Sequence, residues 1–266
     1  MMKRQGQKTL YWGESMQNER RAQIVEAVNQ RGLIYFGTLA DMFPDVSEMT
    51  LRKDLKFLDE EGKIVRIHGG ARSLDTVRGM DVPLRQRLTL NIDKKQEIAA
   101  KALSFLQPGD SVFLDSGSTM TELAKLFPDQ ECTVFCGGLS CVNELSRLHS
   151  PDICLLGGML NKSSLSVRDP RMVQEVERLH FDVAFISVNG FSPEGGFSCR
   201  WPERQLVEQA VLRRSRKKVV LMDSTKLSRQ YAYLICGVAE VDALISDSGF
   251  PEEIRQSVER MGGTLL

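Results

Sequence analysis

The sequence predicts an α/β protein in two parts, an N-terminal winged helix-turn-helix joined to a larger Rossmann-like α/β domain, and three observations carry that expectation. Two short amphipathic segments meet at Pro44-Asp45-Val46 and are followed by a Gly-terminated hairpin pattern. Beyond residue 92, short apolar runs alternate with helical segments, as in a mostly parallel sheet covered by helices. The length, 266 residues, is generous for one domain and comfortable for a small one plus a larger one.

Composition narrows the class. Lys plus Arg equals Asp plus Glu at 35 each, so any affinity for nucleic acid must reside in a local basic patch. At 42% hydrophobic and 26% charged the chain reads as an ordinary globular protein, and no apolar run approaches the roughly 20 residues of a membrane span. The first 17 residues carry Lys3, Arg4 and Lys8 but no signal-peptide core, so a cytoplasmic protein is expected, with 1–17 as a flexible tail and either Met1 or Met16 as the start. The six cysteines form no C-x-x-C pair; a zinc site at Cys132 and Cys136 lacks paired ligand spacing, and reduced, mostly buried thiols are expected, with no metal or cofactor.

The smaller part is expected over residues 18–73. Residues 18–30 read as a helix with Ile24, Val25 and Val28 as its apolar stripe, ended by Gly32. A second helix, 38–43, carries Leu39, Met42 and Phe43 and stops at Pro44. The third, 47–57, begins at Ser47, a residue type that caps free backbone N–H groups. At about 100° per residue it gathers Leu51, Leu55 and Leu58 on one stripe and Met49, Arg52, Lys53 and Lys56 on the opposite arc. Residues 63–70 then read as a wing, with Arg66, His68 and Arg72 on it.

Arg forks onto guanine edges, while Lys, Ser and Thr reach phosphates or bases, so Ser47, Met49, Thr50, Arg52, Lys53, Lys56, Arg66 and His68 are the candidate DNA contacts. The competing reading is a merely solvated face, with Asp54, Asp59, Glu60 and Glu61 diluting its charge.

Residues 74–91 show no sustained period and read as a linker. The second domain, 92–266, opens with a helix over 92–106, and its strand candidates are 112–114, 133–135, 153–156, 183–188, 219–222 and 243–245. Helical segments 121–127, 139–148, 170–179 and 203–214 lie between several of them. Ligands of such sheets bind beyond the carboxyl ends of the strands. There the chain has Asp115-Ser116-Gly117-Ser118-Thr119 ahead of a helix, a small hydroxyl-rich loop suited to a phosphate, or equally an ordinary capped turn. Turns at Cys136-Gly137-Gly138, Leu156-Gly157-Gly158 and Asn189-Gly190, with Asp223-Ser224-Thr225-Lys226, complete the candidate pocket. Gly157, Asn189 and Lys226 join residues 115–119 as candidate ligand contacts.

Arg20-Arg21 with Ile24, then Val46-Ser47-Glu48-Met49-Thr50-Leu51-Arg52-Lys53-Asp54-Leu55 and Gly62-Lys63-Ile64-Val65-Arg66-Ile67-His68-Gly69-Gly70-Ala71, resemble the DNA-binding domain of the DeoR family of bacterial transcription regulators. Residues 91–99, 112–119, 155–158, 181–190 and 221–226 are similar to that family's sensor domain, whose fold resembles ribose-phosphate isomerases and coenzyme A transferases. The resemblance implies a repressor of carbohydrate-metabolism genes that binds double-stranded operator DNA and responds to a phosphorylated sugar or related metabolite; a homo-oligomer is expected because closed symmetry is the usual way such modules gain affinity. The chain departs from the family pattern at Cys136-Gly137, where Thr-Asn is usual, at Asp169-Pro170, and at Ser187 and Asn189. The rival reading, an isomerase-like enzyme, has Asp115, Asp223 and Glu203 as candidate bases but no acid and base paired by spacing, so a non-enzyme is expected.

Overall fold

Helix α1 runs over Gln5–Arg31 in the computed structural model, which describes residues 5–31, 33–61, 63–73 and 82–266, with side chains from residue 17. The flexible tail expected over 1–17 is therefore corrected for residues 5–17, which are helical. Apolar periodicity is missing there, but the stretch lacks proline, and a helix anchored by Ile24, Ala27 and Val28 propagates at little cost per residue once nucleated.

The chain divides into Met1–Leu90 and Asn91–Leu266. In the first, α1 is followed by β1 (Leu33–Tyr35), α2 (Phe36–Met42), α3 (Glu48–Glu60), β2 (Val65–Ile67), β3 (Gly70–Arg72) and α4 (Leu84–Arg87). The leucine stripe of α3, Leu51, Leu55 and Leu58, closes a core with Ile24, Val28, Ile34, Leu39 and Ile64. β2 and β3 form the expected hairpin, turning at Gly69 with φ +79°. β1 is an addition, since three residues carry too little pattern to be read as a strand. It pairs antiparallel with β3, setting Tyr35 opposite Gly70, where a Cβ would lie 2.1 Å from the Ile34 carbonyl oxygen. Within the expected linker, residues 74–81 lie outside the described residues, and α4 replaces irregular chain over 84–87, its Gln86 Nε2 donating to Asp59 Oδ1 at 3.0 Å.

The charge count on α3 also changes. Asp54 is fully buried, accepting from Arg20 Nε at 2.7 Å and Arg21 Nε at 2.8 Å. It faces inward and is neutralised there, so it does not dilute the outer arc.

The second unit contains α5 (Ile92–Ala102), β4 (Ser111–Leu114), α6 (Ser118–Leu126), β5 (Thr133–Cys136), α7 (Leu139–Leu145), β6 (Asp152–Leu155), β7 (Met159–Asn161) and β8 (Ser166–Arg168). α8 (Arg171–Val176), β9 (Phe181–Ser187), β10 (Gly190–Ser192), β11 (Gly196–Cys199), α9 (Pro202–Arg213), β12 (Ser215–Leu221), β13 (Tyr233–Cys236), β14 (Ala243–Ile245) and α10 (Glu252–Arg260) follow. Six strands form a parallel sheet in the order β14-β12-β9-β4-β5-β6.

Alternation along the strands sorts side chains to two cores. Val112, Leu114, Val183, Phe185, Val219 and Leu221 join α5, α6 and α7 on one face. Phe113, Ala184, Ile186 and Val220 join α8, α9 and α10 on the other. Burial on both faces is why these strands read as continuous apolar runs. The antiparallel pieces β10-β11-β13 and β7-β8 were not anticipated.

The strand order reverses between β4 and β9, which are neighbours in the sheet but lead to opposite edges. That places the topological switch point at their carboxyl ends.

Candidate functional sites

On the N-terminal unit, Ser47 caps α3: its Oγ accepts from Thr50 N at 3.3 Å and lies 2.9 Å from Thr50 Oγ1. Met49, Arg52, Lys53 and Lys56 are all exposed, on a stripe spaced at i, i+3, i+4 and i+7, and Thr50 is half-buried beside them. Arg52 sits 4.3 Å from the Phe36 ring centroid and 3.4 Å from Glu48, while Lys56 is 3.7 Å from Glu60. Such exposed pairs are weak and leave the cations available to a stronger anion. Arg66 is exposed on β2 and His68 on the turn after it.

On the second unit, residues 115–119 lie at the switch point. Gly117, with φ +115°, takes the chain from β4 into α6, which starts at Ser118. Ser118 and Thr119 are largely buried, and Ser116 is half-buried. Asp115 is buried too, and its Oδ2 accepts from Ser187 N at 3.0 Å, Ser187 Oγ at 2.9 Å and Arg204 Nη2 at 2.8 Å. Arg204 also donates to the Ser187 carbonyl at 2.6 Å, to Glu208 Oε1 at 2.5 Å and, more distantly, to Asn189 Oδ1 at 3.4 Å. Asp115 therefore belongs to an ion cluster and does not stand as a lone carboxylate at the strand end. Burial pushes the Glu208 carboxyl well above its usual range, against the pull of the Arg204 charge.

The other predicted residues are more dispersed. Asn189 lies two residues beyond the end of β9 and is half-buried. Lys226, half-buried, ends the turn Ser224–Lys226 after β12, one strand further along. Beside it Lys94 Nζ reaches Ser224 Oγ at 2.6 Å and the buried Asp247 at 2.8 Å. Gly157 follows edge strand β6, two strand spacings or about 10 Å from β4, and is exposed. The geometry gathers residues 115–119 with Asn189 and leaves Gly157 apart.

Sequence reading missed Ser187, Arg204, Glu208 and Lys94. Arg204 and Glu208 stand one helical turn apart, which hints at a pair, but nothing local links Arg204 to a carboxylate 89 residues upstream. Five of the six thiols are buried and Cys154 is exposed; burial raises Cys136 to about 12. Among the described residues no helix is long and apolar enough to cross a membrane, and no group of three His, Cys, Asp or Glu is placed to hold a metal ion.

Known proteins resemble both units. The DeoR-like helix-turn-helix domain matches residues 20–77, and the DeoR C terminal sensor domain matches residues 90–248. The chain is 33% identical over 231 residues to the uncharacterized HTH-type transcriptional regulator YulB of Bacillus subtilis, covering 87% of this chain and 89% of that one. It is 29% identical over 247 residues to the transcriptional repressor AccR of Agrobacterium fabrum, covering 90% and 95%. A ribose 5-phosphate isomerase A from Methanocaldococcus jannaschii shares 16% identity over 52% of this chain and 55% of its own, at a TM-score of 0.37, too slight a likeness to bear on function. With a sensor-domain match over more than half its length, a helix-turn-helix match before it and a relative at 33% identity, the chain belongs to the DeoR family of transcriptional regulators.

Proposed function

We propose that Ser47, Met49, Thr50, Arg52, Lys53 and Lys56 of α3 read double-stranded operator DNA, flanked by Arg66 and His68, and that the second unit binds a small phosphorylated metabolite that alters operator affinity. The protein acts as a repressor of carbohydrate-metabolism genes. A homo-oligomer presents two reading heads to paired half-sites, because closed symmetry is how such modules gain affinity. The metabolite works by binding operator-competent and operator-incompetent states with different affinity; equal binding shifts nothing.

The observation that carries the ligand half is the coincidence of the switch point with the loop 115–119 at the start of α6. Ser116, Gly117, Ser118 and Thr119 supply backbone N–H groups and hydroxyls to a phosphate, Asp115 and Asn189 face its hydroxyls, and Lys226 adds a cation. Gly157 contributes least, from two strands away. The pocket senses its ligand: Asp115, the candidate base on the loop, is held in the Arg204 ion pair, which favours sensing over turnover.

Fluorescence anisotropy on DNA upstream of the protein's own gene, repeated across a panel of sugar phosphates, tests both halves. Binding that no panel member alters sinks the ligand reading, and production of an isomeric sugar phosphate by the pure protein sinks the non-enzyme reading. Arg52→Ala is expected to weaken operator binding by about 1–3 kcal/mol if it contacts a base edge, and an unchanged affinity and footprint refutes that role. Lys226→Ala is expected to keep operator binding and lose the metabolite response; a surviving response removes Lys226 from the site.

A further inference from the structure

The opposite end of the central sheet carries a cavity that the reading above does not use. It has a volume of about 340 Å³ and opens at the amino ends of β4, β9 and β12, where Ser111, His180, Asp182, Arg214 and Arg216 line it. β9 is seven residues long, so this cavity and the loop at residues 115–119 are separated by about 20 Å. The volume lies at the lower end of the range for small-molecule sites.

Its polar groups are held in defined states. Arg214 donates from Nε to the Leu179 carbonyl at 2.7 Å and from Nη2 to His180 Nε2 at 2.8 Å. An arginine only donates, so His180 Nε2 is the acceptor of that contact. These two bonds use only part of the donor capacity of a guanidinium that lines the cavity. Asp182 Oδ2 accepts from Ser111 N at 3.0 Å and Ser111 Oγ at 2.9 Å, while Arg216 Nε stands 3.6 Å from Oδ1. The Ser111 bonds, backbone first, hold the Asp182 carboxyl below its usual range, so it remains a carboxylate with acceptor capacity left on Oδ1.

Two guanidinium groups against one carboxylate leave the cavity wall positive, within the run Arg213-Arg214-Ser215-Arg216-Lys217-Lys218. A bare oxyanion suits the arginines but meets Asp182 as a repulsion. An oxyanion that brings its own O–H satisfies both.

We propose that this cavity is a second small-molecule site, which takes a small oxyanion bearing a hydroxyl hydrogen, the class of hydrogenphosphate and hydroxylated phosphate esters. Arg214 and Arg216 bind the anionic oxygens, and Asp182 accepts from the hydroxyl. Selectivity follows from the carboxylate, because a site built around a ligand O–H rejects an analogue that lacks it. The assignment is independent of the ligand proposed at the other end of the sheet.

Isothermal titration of the full chain with inorganic phosphate, and separately with sulfate, in a chloride buffer near pH 7 tests it. Phosphate is expected to bind at least tenfold tighter than sulfate. Arg216→Gln, which alters an exposed side chain and spares the fold, is expected to weaken phosphate at least tenfold. Asp182→Asn is expected to raise sulfate affinity until the discrimination disappears, a gain that a misfolded variant cannot give. Absence of phosphate binding, equal binding of sulfate, or phosphate binding indifferent to both substitutions overturns the proposal.

Discussion

Asp54→Ala is expected to destabilise the N-terminal unit by about 3–5 kcal/mol and to abolish operator binding with it. Asp54 has no exposed surface, and each of its oxygens accepts from a different arginine, Oδ2 from Arg20 and Oδ1 from Arg21. Those side chains are only 18% and 15% exposed, so removing the carboxylate strands two poorly solvated cations between α1 and α3. Arg21 is held further by its position 3.6 Å from the Phe57 ring centroid, which limits its escape to solvent. Asp54→Asn keeps the shape and two acceptor lone pairs while losing the charge, and falls between wild type and Ala. Urea unfolding of the full chain measures both. A loss below about 1 kcal/mol is the value of an exposed pair and contradicts the buried one described here.

Arg204→Leu is expected to cost the second unit a similar amount, about 3–5 kcal/mol, because it leaves the buried Asp115 and Glu208 without the cation they share. Ligand response is lost with it, since Ser187 and Asn189 are also oriented by Arg204. Glu208→Gln separates charge from shape. The folded Glu208 carboxyl titrates above its ordinary value of 4.5, mainly through burial. Its stabilising contribution is therefore fully present below that ordinary value and is lost as pH rises through the folded value. Glutamine does not ionise, so the variant gains on wild type as pH rises from about 5 to 8 in urea unfolding. A difference that stays flat with pH contradicts a raised Glu208 titration.

What could be read in advance was local. The third helix was legible because its leucines recur at helical spacing and Ser47 stands where a cap is needed, and the sheet because strands buried on both faces are apolar throughout. The strand-end loop at residues 115–119 was found from the rule for open sheets, without knowledge of strand order. Distance defeated the rest. Arg204 reaches Asp115 across 89 residues and Lys94 reaches Asp247 across 153, so neither pairing leaves a short-range trace. Asp54 looked like surface charge because helical phase alone does not reveal that two arginines of another helix cover it. β1, β7 and β8 are three residues each, too short for a period of two to register.

Phe36 joins three parts of the N-terminal unit. Its backbone N–H donates to the Gly69 carbonyl at the hairpin tip at 2.8 Å, it begins α2, and its ring lies under Arg52 of α3. Together with the pairing of β1 to β3, this makes the hairpin and the basic helix behave like the two fixed jaws of a caliper. In the proposed reading, the gap between what Arg52 touches and what Arg66 touches is set by the protein. A site whose two contact points are spaced differently has to be matched by bending or twisting the duplex, so base steps that neither residue reaches still influence which sites are chosen.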